Sequence, residues 1–242
     1  MRIIFVGLLA VILNINLYAQ ESHIDTVAIM ILNKMGTLIG ELESCSFTLK
    51  TSSDEIDIDL GLVKYFKVNQ VYLVGPDKML INSRGDKGHI GYWYNGEKLM
   101  YYSYTENNYG VIDAPPTIMA TIDTVHTRYG IDFPAADFFY PTFTEDLIAD
   151  FDQIIFAGQS QVDGKNSYQI IAKNDQMSIQ IWISDDALFL PTKFVIVYYD
   201  ISPNQQFEGT FSDWSLNPEL PNEMFEFSPP PGASQLILLP KY

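Results

Sequence analysis

Between Ile154 and Trp214 the chain reads as short strands joined by tight turns, and this run limits what the rest can form. Ile154–Val162 meets Asp163-Gly164, a two-residue hairpin signal, and Lys165–Ala172 follows. Met177–Ser184 is turned by Asp185-Asp186 into Thr192–Asp200, and Ser202-Pro203-Asn204 leads into Phe207–Trp214. Val, Ile, Tyr, Phe and Trp fill these runs, and such residues suit a pleated, half-buried surface. The expected class is mainly β, with the remaining segments adding strands to the same sheet or helices that cover it.

The first nineteen residues stand apart. Arg2 precedes the apolar run Ile3–Leu13, Asn14 and Asn16 break it, and Leu17-Tyr18-Ala19 ends it. A charged start, a short apolar core and a small-residue end describe a cleavable secretory signal. The expected organisation is therefore a signal peptide over 1–19 and a single domain over 20–242, exported to the periplasm. The run is short for a membrane span of about 20 residues, no second long apolar run exists, and no stable membrane insertion is expected after cleavage. With 242 residues, 47% of them hydrophobic, the chain can build one sizeable core.

In order, Ser22 and Asp25 read as a capping box. Ile24, Ala28, Ile31, Met35, Leu38 and Leu42 then make an apolar helical stripe, which Gly36 and Gly40 weaken. From Cys45 the period becomes two, and Cys45 reads as a small buried hydrophobe. Ser44–Thr51 is a strand, and Asp54–Leu60 a further one with Asp57 and Asp59 wet and Ile56, Ile58 and Leu60 buried. Strands follow at Tyr65–Val74, Lys78–Arg84, His89–Tyr94 and Glu97–Tyr104, the last two joined by Asn95-Gly96. Ala114–Asp152 interrupts the pattern with a helical insert. Pro115-Pro116 opens a helix bearing Ile118, Ile122, Val125 and Tyr129, and Gly130 stops it. Pro134–Tyr140 forms a short helix with Phe138 and Phe139, and Thr142-x-x-Glu145 opens another. At about forty residues the insert is too small to stand alone and must pack on the sheet. Phe225 and Phe227 share one side of a short strand, and Gln235–Leu239 is a last edge strand.

Motifs for chemistry are scarce. The histidines His23, His89 and His126 are isolated, His126 reading as a partly buried filler, and neither His-x-x-x-His nor Cys-x-x-Cys occurs, so no metal or other cofactor is expected. Asp54, Glu55, Asp57 and Asp59 lack the spacing of a calcium loop. Gly91 to Lys98 lacks the Lys and the helix of a phosphate loop. Gly158-Gln159-Ser160-Gln161-Val162 lacks the last Gly of a nucleophile elbow. Thirty acids offer many carboxylate pairs, but none is singled out for glycoside hydrolysis. The net charge of −16 with no Lys or Arg cluster opposes nucleic acid and anionic lipid surfaces as partners.

Three stretches carry a family resemblance. They are Arg128-Tyr129-Gly130-Ile131-Asp132-Phe133-Pro134-Ala135-Ala136-Asp137; Trp182-Ile183 with Leu190-Pro191-Thr192-Lys193; and Ser212-Asp213-Trp214 through Phe225-x-Phe227-x-Pro229-Pro230-x-Gly232-Ala233. Together they resemble an uncharacterised bacterial family of predicted periplasmic proteins of unknown function, itself placed with LolA/LolB-like lipoprotein carriers. The resemblance covers nearly all of the mature chain. It implies an unclosed antiparallel β-barrel, with an N-terminal helix and the helical insert covering the concave face. In the carriers, the space between sheet and helices holds acyl chains. The family supplies no catalytic residues, so none carry over, and fold alone does not establish function.

The expected function is non-catalytic binding of an acyl chain, lipid or lipoprotein-type ligand between sheet and lid. The candidate cavity residues are Trp93, Trp182, Phe194 and Tyr198 on strands, with Ile118, Ile122, Phe138 and Phe139 on helices. The competing readings are an envelope interaction or regulatory protein with a filled core and a protein partner, and a periplasmic hydrolase with paired carboxylates in its pocket. A dry apolar lining, a filled core or a polar cluster distinguishes the three.

Overall fold

The structure is a computed structural model that describes residues 23–200 and 202–241. The expected signal peptide lies outside them. In chain order the elements are β1 (His23–Ile24), α1 (Thr26–Gly40), β2 (Ser44–Asp57), β3 (Gly61–Val74), β4 (Lys78–Gly85), β5 (Gly88–Tyr94), β6 (Lys98–Ser103) and β7 (Asn108–Asp113). Then come α2 (Ile118–Tyr129), a 3-10 turn (Ala136–Phe139) and α3 (Phe143–Asp150). The second run is β8 (Gln153–Val162), β9 (Lys165–Lys173), β10 (Met177–Ser184), β11 (Pro191–Tyr198) and β12 (Gln206–Leu216). A second 3-10 turn (Asn222–Phe225) and β13 (Ser234–Leu236) complete it.

Among the described residues, thirteen strands join one sheet in the order β1-β8-β9-β10-β11-β12-β2-β3-β4-β5-β6-β7-β13. Two antiparallel meanders, β2–β7 and β8–β12, meet where β12 pairs with β2. The sheet does not close into a barrel. Its two ends are short parallel additions, β1 on β8 and β13 on β7. Such brief end strands limit the unpaired edge that each meander would otherwise present.

All the longer helices cover one face. Directly paired residues share a face, and Cys45, Leu73, Met79, Tyr94 and Leu99 are successive partners across β2–β6. Over β4–β6 sits α2, packing Ile118, Ile122 and Val125 on Met79, Tyr94 and Leu99. The Tyr94 hydroxyl donates to the Pro115 carbonyl, which the Thr121 hydroxyl also reaches at 3.1 Å. Over β2 and β8–β12 sit α1, the first 3-10 turn and α3, closing on Phe47, Leu49, Ile170, Ile181, Phe194 and Phe211. Cys45 is buried, and burial pushes its thiol up to about 12.

Local chemistry accounts for the ends of these helices. Asp25 caps α1: its carboxylate accepts from the Val27 N–H at 2.8 Å and from the Phe156 N–H at 3.3 Å, tying the helix start to β8. Ser22 itself is outside the described residues. Gly36 and Gly40 do not break α1 before its end. Thr117 caps α2, and Gly130 ends it in the left-handed conformation (φ 62°). Thr142 stands at the N-cap of α3 without a side-chain cap bond, and its hydroxyl donates to Asp146 at 2.7 Å.

Four local expectations are corrected. Asp54–Leu60 is not a separate strand with a buried face: β2 runs on to Asp57, and Ile56, Ile58 and Leu60 are exposed around the hairpin tip. Asp57 makes that turn, accepting from the Leu60 and Asp59 N–H groups, which hold its carboxyl below the usual range. Phe225 and Phe227 do not lie on a strand. Phe225 ends the second 3-10 turn, and Phe227 packs on Trp93, Tyr102 and Tyr109. The last edge strand is Ser234–Leu236 rather than Gln235–Leu239. His126 is not a partly buried filler, since its side chain is exposed and pairs with Asp132 at 2.6 Å. Among the described residues, no helix is long and apolar enough to cross a membrane.

Candidate functional site

The helix-covered face is not sealed throughout. A cleft of about 620 Å³ opens where α2, the first 3-10 turn and α3 overhang the ends of β10–β12. Ligand pockets commonly run from about 300 to 1,000 Å³. Its floor is built by strand register. Ile179 of β10 pairs with Ile196 of β11, which pairs with Phe207 of β12. Phe194 and Tyr198 flank this row two residues to either side of Ile196 and share its face.

The floor depends on a missing side chain. Phe194 pairs directly with Gly209, and its ring lies over the position that a Cβ on Gly209 would occupy. Only glycine lets the ring lie so low in the crowded row with Phe207 and Phe211. Gly209→Ala is therefore expected to lift the Phe194 ring into the cleft and cost about 1–3 kcal/mol, the scale of overpacking a filled core. Urea unfolding would measure the loss. An unchanged midpoint would show that the ring moves aside freely.

The overhanging wall has a different character. Phe138, Phe143, Leu147 and Phe151 provide its apolar inner part, continuous with the core. Its rim carries Asp123, His126, Asp132, Asp137, Asp146 and Asp150, with neither Lys nor Arg among the residues that line the cleft. The Tyr140 hydroxyl donates to Asp123 at 2.6 Å, and burial followed by that bond raises its pKa. Burial, and then the charges of Asp146 and Asp123, also raise the Asp137 carboxyl above its ordinary value. Tyr198, which faces this rim, is raised by burial and then by Asp132 and Asp137. The site thus combines a floor of ring and branched side chains with an acidic lip. Among the described residues, no group of three or more His, Cys, Asp and Glu side chains is disposed to hold a metal ion.

Of the eight residues expected at a cavity, the structure brings four to this cleft: Ile122, Phe138, Phe194 and Tyr198. Ile118 is spent on the core beneath α2. Phe139 turns away, stacking on Phe47 with ring centroids 5.6 Å apart. Trp93 and Trp182 lie on the opposite face of the sheet. Trp93 packs on Phe227 of the tail, and the Trp182 indole N–H donates to Ser160. Sequence reasoning missed Ile179, Ile196 and Phe207. They share the parity of buried strand neighbours, a usable signal. It also missed the acidic rim, whose residues are scattered over 123–150 and meet only when the insert folds down.

A second groove, of about 670 Å³, runs along the outer side of α1 against Ala187, Leu188 and Phe189. It is more open, and Lys34 lies over its one aromatic ring, Phe189, 4.5 Å from the centroid. The cleft under the insert is the better enclosed of the two.

Several solved structures are similar to the chain at low identity. An uncharacterised conserved protein from Thermus thermophilus is 10% identical, covering 87% of this chain and 99% of its own, with a TM-score of 0.47. The lipoprotein LppX of Mycobacterium tuberculosis is 11% identical, covering 81% and 98%, with a TM-score of 0.46. A LolA superfamily protein from Nitrosomonas europaea is 12% identical, covering 83% and 97%, with a TM-score of 0.34. No curated protein matches the chain significantly. The family described as "Predicted periplasmic protein (DUF2092)" matches residues 28–239, in accord with the three sequence stretches that resemble such a family and with the periplasmic location expected from the first nineteen residues. The chain belongs to this family of predicted periplasmic proteins.

Proposed function

We propose that the protein is a non-catalytic periplasmic binding protein whose ligand places an acyl chain or similar apolar group in the cleft under the insert. The observation that carries this reading is the open row Ile179–Ile196–Phe207, flanked by Phe194 and Tyr198. A filled core would have covered Ile179, Ile196 and Phe207, whereas here they are only partly buried and line a cleft of about 620 Å³. Affinity would come from apolar area removed from water, roughly 0.8 kcal/mol per CH₂.

Native mass spectrometry of protein purified from its own periplasm tests this directly. A bound species of discrete lipid or lipoprotein mass, lost on organic extraction, is the expected result. For the stripped protein, added monoacylglycerols of eight to fourteen carbons should bind with affinity rising about tenfold for every two carbons, until the cleft is full. A bare protein mass with no uptake at any chain length would overturn the reading.

A second reading, a protein partner in the envelope, is favoured by the β2–β3 hairpin. Ile56, Ile58, Leu60 and Leu62 crowd its tip, with Ile58 96% and Leu60 76% exposed. Exposed apolar groups concentrated in this way mark interaction surfaces more often than scattered ones do. A photo-reactive residue at position 58 should then crosslink to a discrete protein in cells.

A further inference from the structure

We infer that the cleft selects apolar ligands that carry a cationic group, an amine, guanidinium or quaternary ammonium, over ligands with a carboxylate or phosphate head. This inference rests on the reading of the cleft as an apolar binding site and names the chemistry of the ligand's polar end.

The geometry supplies two unlike halves. Deep in the cleft, Phe194, Ile196 and Phe207 offer no polar partner, so the buried part of a ligand must be apolar. At the mouth, the ligand's other end meets Asp123, Asp132, Asp137, Asp146 and Asp150. The partners these carboxylates have within the fold do not cancel them. Asp123 accepts from the Tyr140 hydroxyl and Asp146 from the Thr142 hydroxyl, both neutral donors. His126, the one basic side chain lining the cleft, pairs with Asp132 at 2.6 Å and also acts on Asp137, against five carboxylates. Arg128 and Lys241 meet at the end of α2, where the Lys241 backbone N–H donates to the Arg128 carbonyl, but neither lines the cleft. The carboxylates also act on the groups around them: the raised Asp137 and Tyr198 both reflect neighbouring negative charge in addition to burial.

A fatty acid seated with its chain on the floor would bring a sixth negative charge to this rim. A cation there would instead gain from it, and Tyr198 and Phe133, which line the same cleft, are ring side chains of the kind that attract an ammonium. The rim is solvent-exposed, so the preference must weaken with salt.

The test compares three probes of equal chain length on the stripped mature protein, each below its micellar threshold: dodecyltrimethylammonium, laurate and neutral lauroylglycerol. Calorimetry at low salt should give the ammonium probe at least a tenfold advantage over laurate, with lauroylglycerol between them, and the spread should shrink in 0.5 M salt. In the variant D123N/D137N/D146N the advantage should fall to about threefold or less. E219Q/E223Q, which removes charge from the tail outside the cleft, should keep it. Equal affinity for the three probes, or a preference that survives the triple substitution, would overturn the charge selection while leaving apolar binding intact. Failure of all three to bind would overturn the cleft reading itself.

Discussion

Phe138→Ala is expected to destabilise the protein by about 3–5 kcal/mol, the range for deleting a buried aromatic ring. In a chain of this size that should lower the melting temperature by roughly 10 °C. Phe138 is 5% exposed and stands where the insert meets the sheet. Its ring lies 4.9 Å from Phe143, 5.3 Å from Phe194 and 5.5 Å from Phe211, centroid to centroid. It therefore joins the first 3-10 turn, α3, β11 and β12 at one point. The backbone before it is committed to that placement, since Ala135 takes the left-handed conformation (φ 67°) at the start of the turn. Truncation leaves a void bounded by rings that cannot all move to fill it. Phe139→Ala is the comparison. Phe139 is only partly buried and packs on Phe47 at the edge of the cluster, so a loss nearer 1–2 kcal/mol is expected. Urea unfolding of both variants decides the matter. Equal losses would show that Phe138 has no special place as the joint between insert and sheet.

The strand half of this architecture was legible wherever a turn and a period agreed. Asp163-Gly164 places both residues at positive φ, as the hairpin signal requires, and β8 and β9 end beside it. The Pro115-Pro116 opening and the Gly130 stop bracket α2 within a few residues. Where only one of the two signals is present, the sequence says less. Asn108–Asp113 is a strand that the sequence reading passed over, and Asp54–Leu60 has the alternation of a half-buried strand without any layer above it. Periodicity shows which residues share a face but not which face the helices will cover. That is why the pattern of β5 and β10 alone does not put Trp93 and Trp182 on the face away from the helices. On β10 the signal was present nonetheless. Ile179, Ile181 and Ile183 occupy one parity and Gln180 and Trp182 the other, and the all-aliphatic parity is the one the helices bury. No comparable signal existed for the acidic rim. Asp123 lies on α2, Asp132 and Asp137 in the loop and turn that follow, and Asp146 and Asp150 on α3. Each alone looks like an ordinary solvated charge, and only the folding of the insert over the strand ends gathers them at one opening.

Ile196→Asp is expected to weaken binding of lauroylglycerol at least a hundredfold while leaving the fold intact. Ile196 is the middle of the floor row, paired with Ile179 on one side and Phe207 on the other. It is half-buried and faces the cleft, so a carboxylate there stays hydrated in the empty protein. When an alkyl chain enters, that carboxylate loses its water and finds no partner, because the nearest charged groups of the cleft are themselves aspartates. The penalty therefore falls on the complex more than on the fold, and a hundredfold loss needs only about 2.7 kcal/mol. Melting temperature and affinity should separate: a shift of a few degrees beside near-complete loss of ligand. Trp182→Gln probes the opposite face, where the indole meets Ser160 instead of the cleft, and should leave affinity unchanged. If Ile196→Asp binds as tightly as the natural protein, the chain does not lie on this row. If Trp182→Gln is the variant that loses ligand, the apolar site is on the other side of the sheet, and the cleft under the insert serves another purpose.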